Sequence, residues 1–482
     1  MLVLVRLMPP AEYGKAAAVT SVLVFLSAFN AAGMLAQTTQ LPEGEHPDWT
    51  RHWQAGLRLQ GLQFLAVNAV AAVCWWIPAY RALAPLLHTG SIGCLLSLPH
   101  LMAFHLLLRE FDFARLRMGV VAGTVVNTLV TVGLALAGWG ALAIVIGAQV
   151  AALLPLSLFL VVGRRWRPDR GWLAPLDWTA HRAPLRFWGQ SVATSLMVAA
   201  RGALEAAVLP GALGFASLGL LGRAQALHSN TSGRFANVLH NTVAPVLPRA
   251  SNDARTFARH ATLFMLVALL GGVAGAGFVG IEGPELSRVL YGERWRAADP
   301  LIWPAALAGL GLGILQVSGL VLQAVGRLRS LVALNAAQGA LTAPLALLTL
   351  AGVSLADYAW LVAFAELVAA AAALRLVGRH LARGWVESTL MPPFVAVSLA
   401  AAVTVMARRA LAGQPPLIVL ATTTPLYAAV IVLVLRVRYP EALITVLGRV
   451  RIGRRILGAM RLPTSVPREP ALEPALEPPL AP

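Results

Sequence analysis

Residues 301–325 read LIWPAALAGLGLGILQVSGLVLQAV, and this stretch contains no charged side chain. A helix that crosses the roughly 30 Å hydrocarbon layer of a bilayer needs about 20 mostly apolar residues, because each residue adds about 1.5 Å to its length. A short basic break, Gly326-Arg327-Leu328-Arg329, follows, and a second apolar run occupies residues 330–350. Long apolar runs separated by short basic breaks predict an α-helical membrane protein.

The composition of the whole chain agrees with this local pattern. Apolar residues make up 58% of the 482 positions, charged residues only 12%, and the mean hydropathy is +0.72. A soluble domain carries about a quarter charged residues because its surface must meet water. The net charge of +17 comes from arginines clustered in the breaks between apolar runs, which is how membrane topology is encoded. We therefore expect membrane lipids, and no nucleic acid, around this chain.

The length criterion predicts about thirteen transmembrane helices. The predicted spans are residues 16–35, 56–78, 82–108, 118–138, 141–163, 187–209, 212–229, 260–281, 301–325, 330–350, 354–374, 392–407 and 417–435.

The placement of arginine predicts which breaks face the cytoplasm. If the break between the first two spans is cytoplasmic, the breaks on that side carry most of the arginines, whereas residues 138–140 and 210–211 on the opposite side carry none. The basic segment 164–186 and the C-terminal tail are therefore predicted to be cytoplasmic.

Short motifs indicate an internal repeat. The stretch Pro10–Gly14 (PAEYG) is similar to Pro210–Gly214 (PGALG), and Arg115-Leu116-Arg117 recurs as Arg327-Leu328-Arg329, so the offsets are 200 and 212 positions. Duplicated lobes are common in secondary transporters, and the repeat predicts two pseudo-symmetric six-helix lobes plus two C-terminal helices. The predicted organisation is an N-terminal lobe (1–163), a basic cytoplasmic linker (164–186), a C-terminal lobe (187–384), two additional transmembrane helices (385–436), an amphipathic basic helix (437–462) and a disordered Pro-rich tail (463–482).

Residues 1–8 are apolar but far too short to span a bilayer, and the loop-like residues 9–14 follow them. We interpret residues 1–8 as the end of a first helix whose beginning lies upstream of Met1, so that the first helix of the N-terminal lobe is truncated.

Five segments carry a resemblance to a known family. The chain resembles the bacterial polysaccharide (O-antigen and exopolysaccharide) flippases of the multidrug/oligosaccharidyl-lipid/polysaccharide exporter superfamily. The likeness runs in order along nearly all of residues 7–385. The similar segments are the opening motif (7–14), the cytoplasmic turn after the fourth span (108–116), the arginine–acid pair of the seventh span (201–205), the start of the eighth (210–223, with phenylalanine in place of the usual tyrosine) and a later Gly-x-x-Trp motif (290–301).

The resemblance implies a fold and a function. The family pattern has fourteen transmembrane helices, and its members are taken to move an undecaprenyl-diphosphate-linked oligosaccharide from the cytoplasmic to the outer leaflet by alternating access of two lobes. It implies a location in the bacterial inner membrane, a role in lipopolysaccharide or exopolysaccharide biosynthesis, and polysaccharide polymerase and chain-length machinery as partners.

Charged residues within the spans are the candidate substrate-binding residues, because an arginine at mid-bilayer costs roughly 2.5–3.5 kcal/mol and usually faces a wet cavity or the bundle interior. Arg201 and Glu205 are four residues apart and share a helix face. They form either a structural ion pair or a site where Arg201 binds a diphosphate while Glu205 holds it or takes up a proton.

Three further charges lie in or near the second-lobe spans. Arg223 is deep enough to line a cavity, whereas Arg234 is closer to the cytoplasmic end, where its side chain can extend to the interface. Glu366 is a candidate proton or cation site or, equally, a partner in an interhelical hydrogen bond. Gln338 is one of several intramembrane amides that we expect to bridge helices.

The sequence contains no motif that supports catalysis: no phosphate loop, no nucleotide fingerprint, no nucleophile elbow and no metal-spaced cluster. We therefore expect no enzyme activity, no metal and no cofactor. Two alternatives remain open, a membrane-embedded polysaccharide polymerase or ligase and a multidrug antiporter of the same superfamily. A polymerase or ligase usually needs a large external loop, whereas drug antiporters tend to have fewer cavity arginines.

Overall fold

The computed structural model describes residues 2–35, 38, 45, 47–151, 182–234, 239, 247 and 253–447. Within this part of the chain the residues up to Leu220, together with Ala346–Val353, form one compact unit. The residues Leu221–Leu345 and those from Ser354 onward form a second. We refer to them as the first unit and the second unit.

The described chain is a series of α-helices. In chain order they are α1 (Leu2–Leu7), α2 (Pro10–Ser27), α3 (Ala32–Leu35), α4 (Trp49–Trp76), α5 (Ala84–Arg109), α6 (Phe113–Leu136), α7 (Ala141–Ala151), α8 (Arg182–Leu213), α9 (Phe215–His228), α10 (Ala254–Tyr291), α11 (Asp299–Ala324), α12 (Leu328–Thr342), α13 (Leu355–Gly378), α14 (Met391–Ala410), α15 (Pro416–Arg438) and α16 (Pro440–Leu447).

These helices confirm the all-α membrane fold. Nine helical segments among the described residues are long and apolar enough to cross a bilayer, and each of the thirteen predicted spans overlaps a helix. Residues 152–163, most of the predicted linker 164–186, most of the amphipathic segment 437–462 and the tail 463–482 lie outside the described residues.

Helices pack mainly against their neighbours within each unit. In the first unit α8 lies against α2 and α3, and α4 lies against α5. In the second unit α11 packs on both α10 and α13, and the C-terminal pair α14–α15 packs on α10. Asp253 caps α10: the Thr256 hydroxyl and two backbone N–H groups donate to its carboxylate, which lowers the pKa of Asp253 from its ordinary value.

Several predicted span boundaries are wrong. Residues 10–14, which we took for a loop, form the start of α2, and that helix ends at Ser27 and not at residue 35. The break that we placed at residues 210–211 is helical, because α8 continues through Pro210 to Leu213 and the chain turns only at Gly214, where φ is +78°. Glycine adopts that left-handed conformation without strain, so it ends the helix where proline does not. Similarly, α10 continues ten residues beyond the predicted end at Ile281, to Tyr291.

The repeat is visible in equivalent turns. After α5 the chain turns at Phe111 (φ +55°), and after α11 it turns at Gly326 (φ +74°). In both places the N–H groups of this residue and the next donate to carbonyls three and five positions back, the Schellman arrangement. Gly138 after α6 and Gly352 before α13 repeat the same hydrogen bonds.

The residues at which equivalent helices start give the sequence offset between the two halves. A six-residue 3₁₀ turn precedes α5 (Pro78–Leu83), and another precedes α11 (Glu293–Ala298), 215 positions later (293 − 78). The starts of α6 and α12 also differ by 215 (328 − 113), and those of α7 and α13 by 214 (355 − 141). The local structure therefore supports two pseudo-symmetric halves.

A close contact near the starts of α2 and α9 corrects the offset of the first motif. Gly14 and Gly219 are each the fifth residue of their helix. A Cβ on Gly14 would collide with the carbonyl oxygen of Phe215, and a Cβ on Gly219 with that of Pro10. This reciprocal contact pairs Gly14 with Gly219 at an offset of 205 (219 − 14), not with the turn glycine Gly214 at an offset of 200.

Candidate functional site

The Arg201–Glu205 pair lies in the first unit on α8, the helix that packs against α2 and α3. The guanidinium Nε of Arg201 is 3.4 Å from a carboxylate oxygen of Glu205, so the four-residue spacing forms an ion pair as predicted. The Arg201 side chain is 22% exposed and that of Glu205 is 11% exposed. The Arg201 side chain is therefore more accessible than that of Glu205.

Pro210 lies inside α8, beyond Glu205 on the same helix. It has no N–H and cannot donate a helical hydrogen bond. In the same turn the Tyr80 hydroxyl donates to the carbonyl of Ala207 (2.5 Å) and accepts from the N–H of Gly211 (3.1 Å). Ala207 and Gly211 are the two ends of one i→i+4 helical bond, so Tyr80 is inserted into that bond. This insertion joins the helix that carries Arg201 to the 3₁₀ turn that precedes α5.

Arg223 lies on α9 in the second unit and is half-buried. Its guanidinium carbon is 5.9 Å from the centre of the Tyr291 ring at the end of α10, within range of a cation–π interaction. Arg234, directly after the π-helical turn Ser229–Gly233, is exposed. Arg201 and Arg223 belong to different units, and a shared cavity for them stays a prediction.

The π-helical turn borders a cavity of about 230 Å³ in the second unit, between α10 and α11. His228 reaches it from the end of α9 and is 8% exposed. Its imidazole lies on Gly309, where any Cβ would collide with the ring. Most other lining residues are glycine or apolar, and Ser229 and Gln316 add polar groups. Sequence reasoning missed His228 because no motif marks it.

Glu366 lies on α13 and is completely buried. The amide of Gln338 on α12 donates to its carboxylate at 2.7 Å. Gly311 on α11 allows that helix to approach the backbone of Glu366 directly. The structure therefore brings Glu366 together with Gln338, and the predicted hydrogen bond between helices is present.

An ionic cluster in the second unit was missed by sequence reasoning. Glu285 on α10 pairs with Arg288 (2.9 Å) and with Arg408 of α14 (2.7 Å), and Arg288 also contacts Asp299 of α11 (3.3 Å). Glu282, one turn before Glu285, is completely buried. These acids were overlooked because the predicted span ended at residue 281. Among the described residues no group of three His, Cys, Asp or Glu side chains is placed to hold a metal ion.

Comparison with known proteins decides the family. The family model described as "Polysaccharide biosynthesis protein" matches residues 3–300, more than half of the chain. The chain belongs to this polysaccharide biosynthesis protein family. No curated protein matches the sequence at a significant level.

Solved structures show the fold that this family member adopts. A structure titled "Lipid II flippase MurJ, inward closed conformation" superimposes with a TM-score of 0.69 at 13% identity, covering 90% of this chain and 96% of that one. An inward-facing multidrug resistance MATE family transporter of the MOP superfamily gives a TM-score of 0.54 at 13% identity, covering 78% of this chain and 92% of that one. The polysaccharide biosynthesis protein described here is thus a multi-pass membrane protein with the fold of these flippases and transporters.

Proposed function

We propose that the protein moves an undecaprenyl-diphosphate-linked oligosaccharide from the cytoplasmic to the outer leaflet of the bacterial inner membrane. Membership in the polysaccharide biosynthesis protein family supports a role in building a polysaccharide. The fold likeness to a lipid II flippase supports transport of a lipid-linked sugar. Polysaccharide polymerase and chain-length machinery are the partners that would act on the product.

The observation that carries the proposal is the Arg201–Glu205 pair on a helix of a membrane protein. A guanidinium matches the oxygens of a diphosphate and keeps its charge at any physiological pH. Because 22% of the Arg201 side chain is exposed while Glu205 is held behind it, the pair presents a positive face to an incoming anion. Glu205 would orient Arg201 in the absence of substrate.

The other charged residues have proposed roles that follow from their surroundings. Arg223, half-buried beside Tyr291, would contact the same anionic head group or an acidic sugar. Arg234 is exposed and would act earlier, by attracting the substrate at the cytoplasmic side. Glu366, bonded to Gln338, would hold the second-unit helices in register and is the second candidate for a coupling proton.

A multidrug antiporter is the alternative that a specific observation favours, because the fold is also that of a MATE transporter. Cationic drugs need acidic and aromatic surroundings, and a partly exposed arginine such as Arg201 repels them. The charge at Arg201 therefore favours an anionic substrate over a cationic one.

Alanine substitution in cells tests this function. Arg201→Ala is expected to abolish export of the polysaccharide while the protein inserts at normal abundance, and Arg223→Ala should act in the same direction. Arg201→Lys should restore export only in part, since lysine keeps the charge but loses the two-pronged hydrogen bonding. Glu205→Gln should be mild if Glu205 only orients Arg201 and severe if it carries a proton.

The matched control is Arg186→Ala, an exposed arginine on the same helix, which should export normally. Normal export by both the Arg201→Ala and Arg223→Ala variants contradicts the proposal. Their disappearance from the membrane also contradicts it, because it would show a purely structural role.

A further inference from the structure

Glu282 is an acid enclosed by protein on every side. It lies in α10 between Gly280 and Gly283, and the missing side chains at these glycines let Trp303 and Ile302 of α11 pack directly against the helix. The residue is 0% exposed, and neither carboxyl oxygen has a hydrogen-bond partner. An ionised carboxylate without donors is costly in such surroundings, because it has lost its hydration and gained nothing in return.

The nearby arginines are engaged with other acids. Arg408 on α14 donates to the backbone carbonyl of Ile281 and to the carboxylate of Glu285 at 2.7 Å. Arg288 divides its contacts between Glu285 and Asp299.

The cluster therefore contains three acids, Glu282, Glu285 and Asp299, and two arginines that form ion pairs in it; Glu282 is completely buried and the other four side chains are partly exposed. Arg296 acts on Asp299 but is itself exposed. If all three acids were ionised, one negative charge would remain uncompensated. Glu282 is the acid that neither arginine binds through a hydrogen bond.

The hydroxyl groups of α15 indicate which group would donate in a hydrogen bond between Thr423 and Glu282. Thr423 lies beside the Glu282 carboxyl and is completely buried. Its hydroxyl lies 2.7 Å from the carbonyl of Val419, and while it donates there its oxygen can only accept a further hydrogen bond. Tyr427, one turn further along α15, likewise donates to the carbonyl of Ala274 on α10. In this arrangement a hydrogen bond between Thr423 and Glu282 requires the hydrogen to be on Glu282.

We propose that Glu282 is a proton-binding site: its carboxyl group is protonated in the folded protein and donates to the Thr423 hydroxyl oxygen, which joins α10 to α15. The proton supplies the positive charge that the cluster lacks. Loss of this proton would leave the buried Glu282 carboxylate near Glu285 of α10 and Arg408 of α14. The Glu282 carboxylate and the Thr423 oxygen would then both be hydrogen-bond acceptors, with no hydrogen between them. This site stands apart from Arg201 and does not depend on the proposed substrate.

Thermal unfolding of the purified full chain in detergent, between about pH 5 and about pH 9, tests the site. Glu282→Gln keeps the shape and donor capacity of the protonated acid. Above about pH 4.3 an unfolded glutamate is ionised, so the folded wild type would hold one proton more than its unfolded chain. Its stability must then fall relative to the glutamine variant as pH rises. We expect the melting temperature of Glu282→Gln to exceed that of the wild type by a margin that grows with pH.

The matched controls act on neighbouring groups. Glu293→Gln, at an exposed acid in the adjoining 3₁₀ turn, should leave the wild-type pH dependence unchanged. Thr423→Val removes the acceptor and should lower the melting temperature at low pH, whereas Thr423→Ser keeps an acceptor and should not. Wild-type and Glu282→Gln curves that run parallel across the pH range overturn the proposal.

Infrared spectroscopy tests the proton without requiring Glu282→Gln to fold. The wild type at neutral pH should show the carbonyl band of a protonated, hydrogen-bonded carboxyl group, and Thr423→Val should move that band to higher frequency because the hydrogen bond is lost. Absence of the band in the wild type, or a band that Thr423→Val leaves in place, contradicts the proposal.

Discussion

At the scale of single residues, the Tyr80 hydroxyl forms two hydrogen bonds with the backbone of α8. Pro210 interrupts the hydrogen bonds of the helix, and the Tyr80 hydroxyl serves both the Ala207 carbonyl and the Gly211 N–H. Tyr80 therefore joins the turn of α8 that contains Pro210 to the 3₁₀ turn that precedes α5.

Tyr80→Phe removes that hydroxyl and leaves both backbone groups without it. We expect a loss of about 0.5–1.5 kcal/mol in the free energy of unfolding, the net contribution of a typical hydrogen bond, because both backbone groups lie on an exposed part of the helix. Thermal unfolding in detergent measures it. Tyr439→Phe, in the apolar cluster around Ala396 and Leu435, is the control and should change stability by about 0.5 kcal/mol or less. Equal stability of Tyr80→Phe and the wild type would show that the insertion is not required.

The candidate site illustrates what single-residue patterns can reveal. The ion pair of Arg201 and Glu205 was predictable because a spacing of four residues places two side chains on one helix face. The partners of Glu282, His228 and Tyr80 come from distant parts of the chain, and no local spacing encodes such contacts. Their roles emerge only once the helices are packed.

At the scale of helices and turns, one pair of equivalent turns has a strained backbone in the first half and an unstrained one in the second. Phe111 and Gly326 occupy the same left-handed position of equivalent turns. A side chain in that conformation costs roughly 1–2 kcal/mol, whereas glycine adopts it freely. Phe111 is 76% exposed, and its ring lies edge-on to the neighbouring Phe113 ring, with 6.0 Å between the ring centres.

Phe111→Gly should therefore raise the free energy of unfolding by about 1 kcal/mol. Gly326→Ala, the reciprocal change in the other half, should lower it by a similar amount. Thermal unfolding of the two variants in the same detergent gives both values. A loss of stability in Phe111→Gly would mean that the phenyl ring contributes more than the turn costs.

Helix positions were predictable from the sequence and helix ends were less so. Spans follow from the number of consecutive apolar residues, which the bilayer thickness sets. Ends depend on where a glycine can turn the chain and where polar residues find partners. Gly214 ends α8 four residues after the proline that we took for the loop. Helix α10 continues past the predicted boundary, and there Glu285 pairs with arginines of α10 and α14.

At the scale of the whole molecule, the chain is a duplicated bundle. The offsets of 215 and 214 between helix starts, with matching Schellman turns, show that the second half repeats the first in both length and local hydrogen bonding. Short sequence motifs identified the repeat but gave offsets of 200 and 212, because a motif of three to five residues can be matched a few positions out of register. The offset of 200 arose because the packing glycine Gly14 was matched to the turn glycine Gly214. Two similar halves are common in secondary transporters.

The central claim, that this bundle flips an anionic lipid-linked oligosaccharide, is tested most directly in reconstituted liposomes. The measurement is the rate at which a labelled undecaprenyl-diphosphate oligosaccharide becomes accessible to a quencher on the opposite side of the bilayer. The account predicts faster transfer with the wild type than in protein-free liposomes, and a loss of about 10- to 100-fold in Arg201→Ala, equivalent to the 1.5–3 kcal/mol of a charge-assisted hydrogen bond. Arg186→Ala should transfer the lipid at the wild-type rate. A wild-type rate no higher than that of empty liposomes, or equal transfer of a carrier lacking the diphosphate, would contradict the claim.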